Sequence, residues 1–313
     1  MSPPEAASLK FDDNQLPYID LGNAVIRLEK EDPPEWALEK ARNELRETPE
    51  IVEKAIVELR QMIQQTEFLH LPLDDEYMKM FLRPTKYYPE SALKRLINFY
   101  HMKLKYGEVC DNILPSTIRN VFEEGILSLL PNRDQHGRRI LVIEAGKKWK
   151  PSKVALGDMF KGIQLAVVGS MAEPKSQICG AVVIIDMEGL PVSHVMQFTP
   201  SFAIMLLDYV QDCICMRLKA VHIVNNSYIF NMLFAIFKPF IREKLRKRIF
   251  FHGKDWKSLA GHIDKEFLPA KYGGTTTWEI PPGNLLADFF ECYKKDFEMA
   301  NAFGFTDGYK MKK

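Results

Sequence analysis

The sequence predicts an α/β protein in which an all-helical module comes before a domain built on a mixed, partly parallel sheet. Three observations lead to this fold class. Up to about residue 125, apolar residues recur at helical spacing between prolines and capping residues. Beyond that point, short apolar runs that suit buried strands alternate with helical segments. Near the end, apolar side chains at helical spacing predict a helix that docks on the rest of the chain.

These changes in pattern divide the chain into four parts. The predicted parts are a polar N-terminal arm at 1–31 with apolar anchors only at spots such as Leu16–Tyr18 and Val25–Leu28, a helical module at 32–125, an α/β domain at 126–280, and a docking helix with a tail at 281–313.

Capping residues and prolines predict where the helices of the module begin. Asp32-Pro33 and Thr48-Pro49 each offer an N-cap followed by proline at the first helical position. Asp74 can cap a short helix that ends near Leu82, and further helices are predicted at 90–106 and from Pro115.

In the second half, apolar runs predict strands and apolar periodicity predicts the helices between them. The predicted strands are Ile140–Ile143, Ala181–Ile185, Ala220–Val224 and Ile249–Phe251, and the predicted helices are 158–169, 200–210 and, for the docking helix, 285–297.

Residues 225–248 form the most informative stretch, because a nearly all-apolar segment runs directly into a cationic one. From Tyr228 to Phe237 only Asn231 is polar, and that segment is far shorter than the roughly 20 apolar residues that span a bilayer. Six basic residues and one acid follow between Lys238 and Arg248. An apolar helix beside a basic one suits contact with an anionic membrane surface, whereas the alternative is a buried core helix followed by a solvated turn.

Composition limits what the whole chain can be. Its 313 residues suffice for two domains, and its net charge is only +1, so any basic patch is local and no nucleic-acid partner is expected. Five scattered cysteines favour a reducing compartment, and the first residues lack the apolar core of a signal peptide. We therefore expect a cytoplasmic protein.

Signals for catalysis or metal binding are weak. The sequence contains no nucleophile elbow, no zinc-protease motif, no P-loop and no dinucleotide-binding glycine motif. Asp186 ends a buried strand and could be a catalytic acid, but a turn residue in the run DMEG is the simpler interpretation. Cys213 and Cys215 lack the spacing of metal ligands, and His194 and His222 suit the core or a turn better than a catalytic base. No cofactor is expected.

Two pairs of basic residues could meet at one anionic headgroup. Arg217 and Lys219 alternate in an extended segment, which places both side chains on one side of it. In a helix after Lys238, Lys244 and Arg248 would lie one turn apart beside an apolar stripe of Ile241, Leu245 and Ile249. The alternative is a solvated strand entry and a solvated helix face.

From Leu82 to about Gly274 the sequence resembles the CRAL-TRIO lipid-binding family, in particular its tocopherol-transfer and retinaldehyde-binding branch. The residues that carry the resemblance are FLR at 81–83, IIDMEG at 184–189, SHVMQFTPS at 193–201, the run from HIVNN to FFHG at 222–253, and LPAKYGG at 268–274.

The resemblance implies a sheet that floors a lipid cavity, a helix after HIVNN that acts as a mobile gate, and a phosphoinositide site. By motif position, the phosphoinositide-binding residues fall on Arg217, Lys219, Lys244 and Arg248, and a further arginine of the family falls on Thr85, next to Lys86. The implied cavity wall consists of Phe160, Ile163, Val167, Ala181, Val183, Ile185, Phe198, Leu206, Tyr209 and Val210, with Leu233, Phe237 and Ile241 from the gate.

One departure from the family concerns the cargo. Two serines on the cavity helix of the tocopherol branch fall on Ile163 and Val167, which have no hydroxyl. We therefore expect tocopherol to bind more weakly than a hydrocarbon or retinoid-like ligand.

The sequence and the resemblance together predict a monomeric, non-enzymatic carrier of a hydrophobic small molecule. Retinoid, tocopherol-like and other isoprenoid cargoes suit the predicted wall, and docking to endosomal or other phosphoinositide-bearing membranes is expected through the basic residues. Two alternatives remain, namely a phosphoinositide-sensing trafficking adaptor that needs no cargo and a lipid-modifying enzyme.

Overall fold

A computed structural model describes residues 7–311, and within that range the protein is a mixed α/β fold. The strands are β1 Ser8–Phe11, β2 Pro17–Asp20, β3 Val25–Ile26, β4 Leu69–His70, β5 Leu127–Leu129, β6 Arg139–Ile143, β7 Ala181–Asp186, β8 Leu218–Val224, β9 Ile249–Gly253 and β10 Gly304–Phe305. The helices are α1 Glu35–Leu45, α2 Pro49–Gln64, α3 Asp75–Leu82, α4 Pro89–Lys105, α5 Gly107–Cys110, α6 Arg119–Glu123, α7 Leu156–Met171, α8 Pro174–Cys179, α9 Val192–Val195, α10 Pro200–Asp208, α11 Tyr228–Phe237, α12 Glu243–Arg246, α13 Trp256–Ala260, α14 Gly283–Glu291 and α15 Lys294–Asn301.

The central sheet has five strands in the order β5-β6-β7-β8-β9. Strand β5 is antiparallel to β6, and β6 through β9 are parallel, so the predicted mixed, partly parallel sheet is confirmed. Because parallel crossovers are right-handed, strands that follow one another in chain order place their connecting helices on one face. Helices α7, α10 and α11 form that layer.

The two faces of the sheet differ in how tightly they are covered. Along β7, Val182 and Ile184 are fully buried against a cluster on one side that includes Leu259, Leu268 and Tyr272. The alternate side chains of β7 point to the other face and are only partly buried. The helical layer therefore leaves space over its own face of the sheet.

The N-terminal segment is more ordered than the arm that the sequence predicted. Its described part, from residue 7, forms a three-stranded antiparallel sheet of β1, β2 and β3. Ile19, Ile26 and Leu28 are buried in the main core, whereas Leu16 and Val25, which lie within the predicted anchors, are exposed.

The helical module follows its capping signals with some shifts. Helix α2 begins at Pro49 behind Thr48, and the side chain of Asp74 accepts a hydrogen bond from the backbone nitrogen of Tyr77 at 2.9 Å, as predicted. Helix α1 begins two residues after the predicted proline, with Pro34 at its N-cap. Helix α4 ends at Lys105, one residue before the predicted end, and Gly107 begins the short helix α5.

The basic segment and the docking segment are each interrupted. The predicted basic helix consists of a single 3₁₀ turn at 238–240, the four-residue helix α12, and then strand β9, which takes up Ile249. Pro239 has no backbone N–H to donate and therefore cannot continue α11. The predicted docking helix at 285–297 is divided into α14 and α15, but Leu286, Phe289 and Phe290 are buried in the main core as expected.

Within residues 7–311, no helix is both long and apolar enough to cross a membrane.

Candidate functional site

An apolar cavity of about 240 Å³ lies between the sheet and the helices α7, α10 and α11. Every side chain that the sequence predicted for the cavity wall, except Ala181, lines it. The predicted residues that line the cavity are Phe160, Ile163, Val167, Val183, Ile185, Phe198, Leu206, Tyr209, Val210, Leu233, Phe237 and Ile241.

Ala181 is the exception and packs against a second core cluster, which also includes the wall residues Phe160 and Tyr209. The pairing of β7 with β8 is irregular between Ala181 and Val182. The extra residue, Lys219, lies on β8, so the alternation of β7 is intact. Ala181 is on the same side of β7 as Val183 and Ile185, but it is the first residue of the strand and does not line the cavity.

Several wall residues were not predicted. They include Leu141 and Ile143 of β6, Val221 and Ile223 of β8, Phe230 and Phe234 of α11, and Leu245 and Ile249. The signal for the strand residues was present, because β6 and β8 flank β7 and alternate in the same way.

Helix α11, the predicted gate, covers the cavity with one face and leaves the other exposed. Phe230 and Leu233 are buried beneath it. Tyr228 and Met232 face outward with 78% and 44% of their surfaces exposed, and Met196 at the end of the neighbouring α9 is 77% exposed.

The chain that follows α11 is tied to the turn that follows α10, at residues 209–213. The side chain of Gln211 accepts a hydrogen bond from the Arg242 backbone at 2.8 Å and donates one to the Phe240 carbonyl at 3.2 Å. The Arg242 guanidinium also pairs in bidentate fashion with the Asp212 carboxylate, with Nη1 2.6 Å from Oδ1. These contacts hold the 3₁₀ turn after α11 in place.

The four predicted phosphoinositide-binding residues lie together around a second cavity of about 210 Å³, called here the basic pocket. Arg217 and Lys219 come from the start of β8, and Lys244 and Arg248 come from α12 and the residues after it. Lys86, Arg95 and Arg242 also line the pocket, and no acidic side chain appears among its described lining residues.

Thr85 does not contribute to the basic pocket. Its hydroxyl donates to the Phe81 carbonyl at 2.8 Å, while the neighbouring Lys86 lines the pocket.

Burial and mutual repulsion affect the charges of the basic pocket. Burial, together with repulsion from Arg217, lowers the pKa of Lys219 to about 8. Burial and the nearby Arg248 lower the pKa of Lys244, and burial and the nearby Arg217 lower the pKa of Arg248. An anion in the pocket would relieve this repulsion, so the electrostatics favour a ligand with several negative charges.

One carboxylate partly compensates two of these cations. Glu44 of α1 lies 2.7 Å from Nη2 of Arg217 and 3.4 Å from Nζ of Lys219. Arg217 and Arg248 also donate to the backbone carbonyls of Ile178 and Leu218, respectively. Their guanidinium groups are therefore held in position before any ligand binds.

The other residues considered for catalysis or metal binding take part in structural contacts. Asp186 accepts hydrogen bonds from Asn225 at 2.8 Å and Tyr272 at 3.2 Å and pairs with Lys271 at 3.0 Å. His222 contacts His252 at 3.0 Å on the far face of the sheet, and burial with its neighbouring imidazoles lowers its pKa to about 3. Cys213 and Cys215 are buried free thiols, and His194 is buried against Trp149.

The fold and its cavities define an α/β protein built around an apolar cavity with a cationic pocket beside it. Residues 123–274 match the model of the CRAL/TRIO domain. The chain belongs to the CRAL/TRIO family, which confirms the resemblance found in the sequence.

Relatives of the predicted branch are among the similar proteins. The Mus musculus alpha-tocopherol transfer protein-like protein is 34% identical over 273 residues, which is 87% of this chain and 78% of that protein. Its Homo sapiens counterpart is 35% identical over 238 residues, covering 75% of this chain and 69% of that protein. Clavesin-1 of Mus musculus is 32% identical over 251 residues, covering 79% of this chain and 70% of that protein.

Proposed function

We propose that this protein is a non-enzymatic intracellular carrier that binds one hydrophobic small molecule and docks on phosphoinositide-containing membranes. The cargo belongs to the retinoid, tocopherol-like or other isoprenoid class, and it occupies the apolar cavity beneath α11. Membership of the CRAL/TRIO family and the similarity to an alpha-tocopherol transfer protein-like relative support this proposal.

The observation that carries the proposal is a wall shared by two cavities of opposite chemistry. Val210, Ile214, Leu218 and Leu245 line both the apolar cavity and the basic pocket. An apolar ligand and an anionic headgroup would therefore bind on either side of one layer of side chains. That arrangement suits a protein that exchanges its cargo at a charged membrane surface.

Helix α11 provides the exit for the cargo in this proposal. The exposed Tyr228 and Met232, with Met196 beside them, give the membrane an apolar surface to cover. Contact with lipid would favour an open position of α11 by burying the apolar face that opening exposes.

The test has two assays and two reciprocal variants. Organic extraction and mass spectrometry of the purified protein measure retained cargo, and flotation of vesicles with or without phosphatidylinositol bisphosphate measures docking. Val167→Asp should lose the cargo, because an unpaired carboxylate in an apolar cavity costs several kcal/mol, and it should still float. Lys244→Ala with Arg248→Ala should keep the cargo and bind the vesicles at least about tenfold more weakly.

Matched control variants distinguish the loss of a specific cavity from general destabilisation of the protein. Val57→Asp introduces a carboxylate at an exposed site of α2, and Arg246→Ala with Lys247→Ala removes two charges of the same segment outside the basic pocket. Wild-type docking should weaken as salt rises, because charges are screened within about 10 Å at 0.1 M.

Two results would contradict the proposal in different ways. Equal vesicle binding by the two double variants would remove the docking function. Docking without any stoichiometric extracted lipid would instead favour a phosphoinositide-sensing adaptor.

A further inference from the structure

The wall of the apolar cavity is chemically uniform. Among the described residues that line it, Tyr209 alone has a side-chain oxygen or nitrogen. The other side chains are aliphatic or phenyl groups, together with the thioethers of Met159 and Met187. A ligand in the cavity therefore contacts hydrocarbon and sulfur on every side that these residues cover.

The hydroxyl of Tyr209 does not change the polarity of this wall. Its oxygen is fully buried, and the surface that the described residues present to the cavity is apolar throughout. The groups around the hydroxyl include three thiols that lie outside the wall, those of Cys110, Cys213 and Cys215. Phe160 packs edge-on against the tyrosine ring, with 5.3 Å between the ring centroids. Tyr209 thus presents only its ring to a ligand.

The backbone around the cavity already has hydrogen-bond partners. Strand β7, the middle strand of the sheet, is paired with β6 on one side and with β8 on the other. Just beyond β7, the Met187 nitrogen donates to the Val224 carbonyl at 3.0 Å. In the turn after α10, the Ile214 nitrogen donates to the Tyr209 carbonyl at 2.9 Å. These backbone groups are occupied and leave the cavity surface to apolar side chains.

Polar side chains lie on the other side of a shared wall, in the basic pocket. Val210, Ile214, Leu218 and Leu245 separate the two spaces. A hydroxyl or carbonyl inside the apolar cavity would therefore give up its hydrogen bonds to water and find none among the described wall residues. Burying a polar group in this way costs free energy, whereas burying a hydrocarbon is favourable. The wall therefore discriminates between ligands by their oxygen content.

We propose that the cargo is an isoprenoid hydrocarbon that has no hydroxyl, carbonyl or carboxyl group. This inference rests on the carrier function proposed above and narrows the cargo to the oxygen-free members of that class. Affinity comes from burial of the hydrocarbon, and selectivity comes from the unpaired state that an oxygen would have in the cavity.

The test compares two ligands that differ in a single oxygen atom, phytane and its alcohol phytanol. The transfer of each radiolabelled ligand from phosphatidylcholine vesicles to the cargo-free protein is measured at equilibrium. In the vesicle the phytanol hydroxyl is hydrated at the bilayer surface, whereas in the cavity it has no partner. The wild type should therefore take up phytane about fivefold to hundredfold more strongly than phytanol.

A hydroxyl introduced into the wall should reverse part of this preference. Val183→Thr adds one on β7 with little change in shape, and Val183 lines the cavity. The new hydroxyl can bond the phytanol oxygen, so the ratio of phytane affinity to phytanol affinity should fall by at least about threefold. Val25→Thr is the matched control and should keep the wild-type ratio, since Val25 is an exposed strand residue outside the cavity.

The retained cargo gives a readout that needs no variant. Mass spectrometry of the lipid extracted from the purified protein should give a formula that contains only carbon and hydrogen. A stoichiometric lipid that contains oxygen would overturn the inference.

The ligand comparison separates the failure of this inference from that of the carrier function. Wild-type protein that takes up phytanol as strongly as phytane, or a folded Val183→Thr protein with the wild-type ratio, overturns the inference and leaves the carrier function standing. Binding of neither ligand, in a protein that also yields no extracted lipid, overturns the carrier function itself.

Discussion

At the scale of single residues, Lys219 shows how the surroundings change a side chain that looks ordinary in the sequence. Its ammonium is partly buried, and Arg217 two positions earlier repels it. Glu44 of helix α1 attracts it but does not cancel these effects, so the pKa of Lys219 falls to about 8. The sequence predicted that Lys219 lies in the basic pocket, but its pKa depends on contacts between distant parts of the chain.

This pKa predicts that binding of an anionic headgroup weakens at alkaline pH. A bound anion favours protonated Lys219 and raises its pKa, so affinity is complete well below pH 8 and declines as the pH rises through that value. Between pH 7 and pH 9 the loss should approach about tenfold, because the protonated fraction falls about tenfold. Flotation of phosphatidylinositol bisphosphate vesicles across this range measures it.

Lys219→Arg is the control for that prediction, since arginine stays charged throughout. The variant should bind with little change between pH 7 and pH 9. A parallel decline in both proteins would assign the effect to another group.

At the scale of elements, α11 is restrained by contacts between the segment that follows it and residues that precede it in the chain. Gln211 and Asp212 bind the backbone of Phe240 and both the backbone and the guanidinium of Arg242. If α11 moves to release cargo, these contacts must break. The ion pair is exposed, and such pairs contribute only about 0.2–1 kcal/mol, so the tie is weak enough to open.

We therefore predict that Gln211→Ala with Asp212→Asn speeds the release of cargo by roughly threefold to tenfold, since it removes hydrogen bonds of about 0.5–1.5 kcal/mol each. The dissociation rate into acceptor vesicles is the measurement. Glu243→Gln, which breaks the exposed pair with Lys247 on the adjacent α12, should release cargo at the wild-type rate. An unchanged rate in the double variant would mean that these contacts do not restrain the exit.

At the scale of the whole molecule, the sequence predicted the central sheet better than its surroundings. Strands β6, β7 and β8 are short apolar runs whose side chains are buried or partly buried on both faces, and such runs are visible in the sequence. Most of the cavity wall followed from the alternation of β7 and from family positions.

The features that were missed depend on distant contacts. Strand β10 pairs with β4 across more than two hundred residues, and nothing local indicates it. The strands of the N-terminal segment are short and gain their stability from the core on which Ile19 and Ile26 pack. Tyr209 was predicted only as part of the wall, because the absence of a partner for its hydroxyl among residues 7–311 is a property of the folded state.

A buried ion cluster joins the N-terminal segment to the α/β domain. Glu173, whose side chain is fully buried, pairs with Arg139 and lies 3.2 Å from Arg133, which in turn lies 3.0 Å from Glu29. Burial works to raise the pKa values of both acids, but attraction from Arg133 and Arg139 outweighs it. The pKa of Glu173 is lowered, and that of Glu29 falls to about 2.

This cluster predicts a large effect of a single amide substitution on global stability. Glu173→Gln leaves two buried guanidinium groups without their central anion, and breaking a buried pair in this way costs about 3–5 kcal/mol. The free energy of unfolding from urea titration should fall by that amount, whereas Glu31→Gln, in an exposed pair with Arg27, should change it by less than about 1 kcal/mol.

The same cluster predicts how stability depends on pH. Since Glu173 and Glu29 have lowered pKa values in the folded state, their contribution is present above the ordinary glutamate value of 4.5 and is lost as the pH falls toward about 2. Wild-type stability should therefore decline below pH 4.5 more steeply than that of Glu173→Gln, and equal slopes would show that the cluster does not govern acid unfolding.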